Sequence, residues 1–229
     1  MSNKILMVLT SHDELGNTGE KTGFWVEEFA APYYQFVDAG FDVTIASVLG
    51  GLPPIDPKSE LPDFQTAATQ RFDKDTQVQD TMANSHALAT INSSDFDGVF
   101  YCGGHGPLWD LTDSTTSIAL IESFLAAQKP VAAVCHASAV LLNVKDAAGN
   151  YAIQNRAVTG FSNTEEEAVQ LTDVVPFLLE DELVKRQARY QKGDDWSAFA
   201  IQDGLIITGQ NPASSELTSH KLMDCIRAK

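Results

Sequence analysis

Cysteine is scarce in this chain of 229 residues, which has only Cys102, Cys135 and Cys225. The number is odd, and no two stand in a CxxC pair or at zinc-ribbon spacing, which argues against a disulfide scaffold and against structural zinc. Cations are short as well. Fifteen Lys and Arg face 31 Asp and Glu, a net charge of −16. So acidic a surface repels phosphate backbones and anionic lipid, so neither nucleic acid nor a membrane is expected as a partner. No apolar run has the length to cross a bilayer. The N-terminal MSNKILMVLTSHDELG holds one Lys and a short apolar run, which fits a first strand over Lys4–Thr10 better than a secretory signal. There is no GxxxxGK[ST] phosphate loop, no internal repeat, no low-complexity tract and no linker. What remains is one α/β domain over residues 1–229, with a small loop and helical elaboration around 50–93 and the cytoplasm as its expected compartment.

Apolar strands alternate with helical segments along the chain. Helices are expected over Phe24–Ala39 with Gly40 as its stop, Ser114–Gln128, Val175–Lys192 with Pro176 in the first turn, and Ala213–Arg227. Strands are expected over Phe41–Ala46, Asp97–Cys102, Val131–Val134 and Arg156–Thr159. A hairpin is expected over Ser197–Thr208 with its turn at Asp203-Gly204. Gly50–Pro62 is too rich in Gly and Pro for regular structure and reads as an ordered loop. Repeated β-α units with apolar strands imply a three-layer sandwich, a mostly parallel sheet between helices.

Sites in such sheets form at the carboxyl ends of strands. Cys135 stands there, between the buried-looking strand Val131–Val134 and a helical start at Ala137–Leu142. A helix N-terminus favours the thiolate, so this position is expected to lower the thiol pKa, and the small residues that follow permit a sharp nucleophile turn. Cys102 and Cys225 read as structural thiols. Gly103-Gly104-His105-Gly106 closes another strand. Bare backbone there can approach a developing oxyanion, with the Gly104 and His136 N–H groups as natural donors and His105 beside the substrate. Glu27 and Glu28 lie in an apolar, aromatic helix. One of them held in apolar surroundings would carry protons near neutral pH, and spacing alone leaves the choice open. A metal site built from Glu28, His105, Cys135 and His136 has no known ligand spacing and is not expected, nor is any cofactor.

These motifs together, Val134-Cys135-His136-Ala137, the GGHG turn and Glu28-Phe29-Ala30-Ala31-Pro32, resemble the ThiJ/PfpI superfamily. The resemblance implies a flavodoxin-like, class I glutamine amidotransferase-like fold. Gly50–Pro57 (GGLPPIDP), Val158–Ser162 (VTGFS), Asp203-Gly204 and Asn211–Ser214 (NPAS) resemble its heat-shock-protein-31 and glutathione-independent glyoxalase III subgroup. It implies that Glu28, four residues before Pro32, is the acid–base glutamate, and that His136 serves the nucleophile. A third member of the triad is implied within Ser162–Glu167, where Glu166 has the best-fitting position and Asn163 stands where some relatives carry Asp. The implied reaction converts methylglyoxal to D-lactate through a Cys135 hemithioacetal, without metal or organic cofactor, in a homodimer.

Three other readings share these residues. Cys135 could serve a hydrolase, deglycase, amidase, peptidase or isonitrile hydratase. Trp25, Tyr33, Tyr34, Trp109 and Trp196 could supply the apolar surface of a holding chaperone. A Cys135 of low pKa could act as an oxidation sensor.

Overall fold

The computed structural model describes residues 2–228. The chain opens with β1 (Lys4–Leu9), whose residues Ile5 to Leu9 are all fully buried. Continuous burial of this kind belongs to a central parallel strand covered on both faces. α1 (Val26–Asp38) follows a long loop and buries Phe29, Ala30, Tyr34 and Phe36. Gly40, at φ +82, ends it: its N–H reaches the Val37 carbonyl while the Phe41 N–H reaches Phe36. This is a Schellman closure, and the Phe36 and Phe41 rings pack together across it.

The rest runs β2 (Asp42–Ser47), α2 (Ala67–Phe72), α3 (Thr76–Ala83), β3 (His86–Ala87), β4 (Gly98–Tyr101), α4 (Pro107–Asp110), α5 (Thr115–Ala126) and β5 (Val131–Val134). After a 3₁₀-helix over Cys135–Leu141 come β6 (Ala157–Val158), α6 (Asn163–Ala168), α7 (Leu179–Lys185), β7 (Arg189–Tyr190), β8 (Ala200–Asp203), β9 (Ile206–Gly209) and α8 (Ser215–Arg227). Seven strands form one sheet in the order β3-β2-β1-β4-β5-β9-β8. Among the described strands of this sheet, neighbours pair parallel except in the β8–β9 hairpin. Strand β4 shows the three layers. Phe100 meets Phe36 of α1, and a Cβ at Gly98 would strike Ile226 of α8. Its neighbour Tyr101, pointing to the other face, takes a hydrogen bond from Ser117 of α5. Among the described residues no helix is long and apolar enough to cross a membrane.

The Gly50–Pro62 segment is ordered but not free of regular structure, since Pro57–Glu60 forms a 3₁₀-helix whose first turn Asp56 caps. Its Pro54 carbonyl accepts the Phe24 N–H and its Asp56 N–H donates to the Phe24 carbonyl, both at 2.9 Å, which fixes the chain just before α1. Two expectations fail nearby. The helix expected over Val175–Lys192 is only α7, and Arg189–Tyr190 leaves it to pair with β6. The strand expected over Arg156–Thr159 therefore lies in this two-stranded sheet, outside the main one. The cause is Gln187 at φ +62, whose N–H and that of Ala188 close α7 on Val184 and Leu183. Gln128 and Gln170 end α5 and α6 in the same left-handed conformation. Glutamine bears a Cβ cost there that glycine does not, so Gln170→Gly, at an exposed position, is expected to raise stability by about 1 kcal/mol in urea denaturation.

Candidate active site

Cys135 follows β5 directly and has φ +58. A non-glycine residue held in the left-handed region stores roughly 1–3 kcal/mol of strain, which surrounding packing must enforce. The left-handed residue ends β5 at the sheet's carboxyl edge and starts the 3₁₀-helix. The segment after it is a 3₁₀-helix where an α-helix was expected. The thiol also departs from expectation. Burial, then the neighbouring Glu28, push Cys135 well above the usual thiol range, although the His136 N–H favours its ionised form. Desolvation outweighs any helix-end field when the side chain is only 3% exposed.

His136 lies beside it. Its Nδ1 is 3.4 Å from Cys135 Sγ, and its Nε2 is 2.6 Å from Glu166 Oε2. Of Asn163, Glu165 and Glu166, only the last reaches the imidazole. Asn163 bonds Glu180 and Asp181, and Glu165 is engaged by Ser162, Trp196 and Asn211. Burial opposes ionisation of Glu166, yet two imidazoles outweigh it and hold its carboxyl well below the usual carboxylate range. Burial, then His105, push His136 below the usual histidine range. A neutral imidazole facing an ionised carboxylate donates from Nε2, which leaves the Nδ1 lone pair toward the thiol.

Glu28 enters from the first turn of α1 and is fully buried. Burial pushes its carboxyl up to about 8, with the Cys135 thiol and the Gly103 N–H pulling the other way. Neither contact reaches full hydrogen-bond geometry, and both carboxyl oxygens otherwise lack a partner among the described residues. Two acids in one dry site do not both ionise readily, so Glu28 and Cys135 share their protons as a pair. Glu27 instead accepts a hydrogen bond from Thr66 and is half-buried, which separates the two glutamates. Pro32 also lacks the N–H that would bond the Glu28 carbonyl one turn earlier.

Gly103 makes this approach possible. A Cβ there would lie 2.2 Å from Glu28 Oε2 and 2.9 Å from Cys135 Cβ. Gly103→Ala is therefore expected to destabilise by about 1–3 kcal/mol and to displace Glu28, checked by urea denaturation and by the alkylation rate of Cys135. Gly104, at φ +101, packs its backbone against Gly23 and Trp25, and its N–H meets no protein acceptor among the described residues.

His105 departs from its expected place in part. Its Nε2 is 2.9 Å from Glu166 Oε1, so that nitrogen serves the carboxylate and not a substrate. Its ring lies 4.0 Å from His136, and Phe161 covers His136 at 4.3 Å. His105, His136 and Glu166 are also three residues whose ligand atoms lie within 4.8 Å of one another. Sequence reasoning placed His105 at the site but not against Glu166, and it missed the Phe161 cover and Asp110, which clasps Thr10 Oγ1 and the Ser11 N–H at 2.7 Å. Pro107, a helix-first residue directly after the GGHG turn, was the available signal for Asp110. Of the five aromatics weighed as chaperone surface, only Trp196 is exposed. A surface depression of about 1110 Å³ lined by Lys145, Tyr151, Arg156 and Ile206 holds none of the site residues.

The model of the DJ-1/PfpI family matches residues 21–224. Glyoxalase 3 of Candida albicans is 28% identical over 96% of this chain and 97% of its own length. Glutathione-independent glyoxalase HSP31 of Saccharomyces cerevisiae is 29% identical over 98% of each. Among solved structures, the Francisella tularensis Rapid Encystment Protein 24 kDa superposes with TM-score 0.94 at 38% identity, covering 98% of this chain and 99% of its own. Glyoxalase III of Candida albicans superposes with TM-score 0.92 at 26% identity, covering 99% and 98%. With most of its length matched, and with its strands and helices in the same arrangement, this chain belongs to the DJ-1/PfpI family.

Proposed function

We propose that this protein is a glutathione-independent glyoxalase that converts methylglyoxal to D-lactate on Cys135. The observation that carries the reading is the pairing of a strained cysteine with a fully buried, partnerless Glu28 carboxyl beside it. Full-length similarity to proteins named as glutathione-independent glyoxalases supports the same chemistry.

The Cys135–His136–Glu166 contacts support the following steps. Cys135 gives its proton to His136 Nδ1 as Sγ bonds the aldehyde carbon, and the imidazolium is stabilised by Glu166. The former carbonyl oxygen takes the negative charge, faces the Gly104 N–H, and receives the proton back from His136, completing the hemithioacetal. Ionised Glu28 then removes the hydrogen from that carbon. The electron pair forms the carbon–carbon double bond, the carbonyl pair moves onto the second oxygen, and that oxygen takes the first hydroxyl's proton through His136 Nδ1. Protonated Glu28 returns the hydrogen to the second carbon as the first oxygen, now an alkoxide, forms the carbonyl, which yields a lactoyl thioester. Water, deprotonated by His136, displaces the thiol and frees lactate. A carboxyl pushed up to about 8 suits both halves of the shuttle near neutral pH.

Offering the purified chain methylglyoxal, a glycated amine and a simple amide in separate glutathione-free assays tests the reading. Lactate from methylglyoxal with little turnover of the others supports it. Preference for the amide or glycated amine would move the same residues to hydrolase or deglycase chemistry. Glu166→Gln offers one amide oxygen to two imidazole N–H donors, so kcat is expected to fall about a hundredfold or more, read in lactate kinetics.

A further inference from the structure

We propose that His105, His136 and Glu166 form a buried site for a divalent transition ion such as Zn²⁺, and that an ion bound there switches the enzyme off. The three side chains come from the turn after β4, the 3₁₀-helix after β5, and α6. Each offers one ligand atom, and the three atoms lie within 4.8 Å of one another. No short sequence spacing announces such a set, because every ligand sits on a different element.

Two imidazoles and a carboxylate are a donor set that zinc accepts, with a fourth position left for water. Glu166 already turns one oxygen to each Nε2, at 2.9 Å for His105 and 2.6 Å for His136. Zinc bonds of about 2.0–2.2 Å at tetrahedral angles require ligand atoms roughly 3.3 Å apart, so each hydrogen-bonded pair opens by about half an ångström, while ligand atoms now up to 4.8 Å apart draw together. The ion would offset the buried negative charge of Glu166. It also finds an entrance: His105 is 8% exposed, against 1% for His136 and 2% for Glu166. Cys135 is no ligand of this set, since Sγ lies beside Nδ1 on the other edge of the His136 ring.

Inhibition follows from the tautomer, and this part rests on the proposed mechanism. A metal takes the Nε2 lone pair of neutral His136, so the ring proton must sit on Nδ1. No proton is lost in the exchange. It moves from Nε2 to Nδ1, and the atom that accepted the thiol proton becomes a donor to Sγ. Cys135 then has no base, and Glu166, committed to the ion, no longer stabilises an imidazolium.

The test titrates full-length Cys135→Ser with Zn²⁺ by calorimetry and with Co²⁺ by absorption, beside His105→Gln and Glu166→Gln checked for folding by circular dichroism. One ion per chain is expected in Cys135→Ser. The Co²⁺ spectrum of the wild type should lack a thiolate charge-transfer band, and affinity should be at least about tenfold weaker in each ligand variant. In the wild type, stoichiometric Zn²⁺ should stop lactate release, and a chelator should restore it. Absence of stoichiometric binding, or binding lost in Cys135→Ser, overturns the site. So does a thiolate band with Co²⁺, which the wild type and Cys135→Ser decide even if a ligand variant fails to fold. Zinc bound at this set with turnover undiminished overturns the switch. The binding measurements need no turnover, so they stand or fall apart from the glyoxalase reading.

Discussion

Cys135→Ser is expected to lower lactate release from methylglyoxal by about a thousandfold or more while the chain stays folded. Serine keeps the Cβ and the shape of the strained turn at φ +58, so the backbone has no reason to rearrange. The chemistry does change. A hydroxyl is far less acidic than a thiol, and its only base is a His136 held below the usual histidine range. Stability should move by no more than about 1–2 kcal/mol, because the position is buried but the exchange is nearly isosteric. Initial rates and thermal melts on the same preparation check both halves. Retention of a tenth of the wild-type rate would remove Cys135 from the chemistry. Any holding activity toward unfolded chains should survive the substitution, which separates a chaperone role from catalysis.

Glu28→Gln is expected to do two opposite things. Activity falls by about a hundredfold to ten-thousandfold, since the amide cannot carry a proton between the two substrate carbons. Stability rises, and the gain depends on pH. The Glu28 carboxyl has its ordinary value of 4.5 in the unfolded chain and about 8 in the folded one. Below pH 4.5 both states are protonated, and wild type and variant should melt alike. Between pH 4.5 and about 8 the unfolded chain ionises while the folded one keeps its proton. Wild-type stability therefore declines as pH rises through that window, by about 1.4 kcal/mol per pH unit at most. Glutamine has no such loss. Near pH 8 the variant should be more stable by several kcal/mol, with 5 as roughly the upper bound. Denaturation at pH 4.5 and pH 8 measures the difference. A gap that is equal at both would mean that Glu28 is not protonated in the folded protein.

Much of this was legible in the residues themselves. Apolar Val131–Val134 running into Cys135 and then small side chains could hardly be read otherwise, and the strand has those bounds. The β-α alternation supported a parallel sheet, which the order of strands bears out. Glu28 was separable from Glu27 only through the Glu-x-x-x-Pro resemblance, because both share one apolar helix and only tertiary contacts decide which turns inward. The thiol was misjudged for a physical reason. A helix-end field can be guessed from a motif, whereas the desolvation that overrides it depends on the whole fold. The end of α7 was hidden because Gln187, and not glycine, occupies the left-handed cap. His105 and Glu166 stand 61 positions apart, and nothing in their local sequence announces that they meet.

In the proposed reaction Cys135 carries the substrate covalently. The most direct test is the mass of the protein quenched in acid during turnover of methylglyoxal, followed by peptide mapping. A hemithioacetal and a lactoyl thioester are isomers, so either adds the mass of one methylglyoxal. The predicted result is that single increment on the Cys135 peptide in the wild type, enriched in Glu28→Gln and missing from Cys135→Ser. Adducts confined to lysine and arginine, with lactate still released by Cys135→Ser, would contradict it.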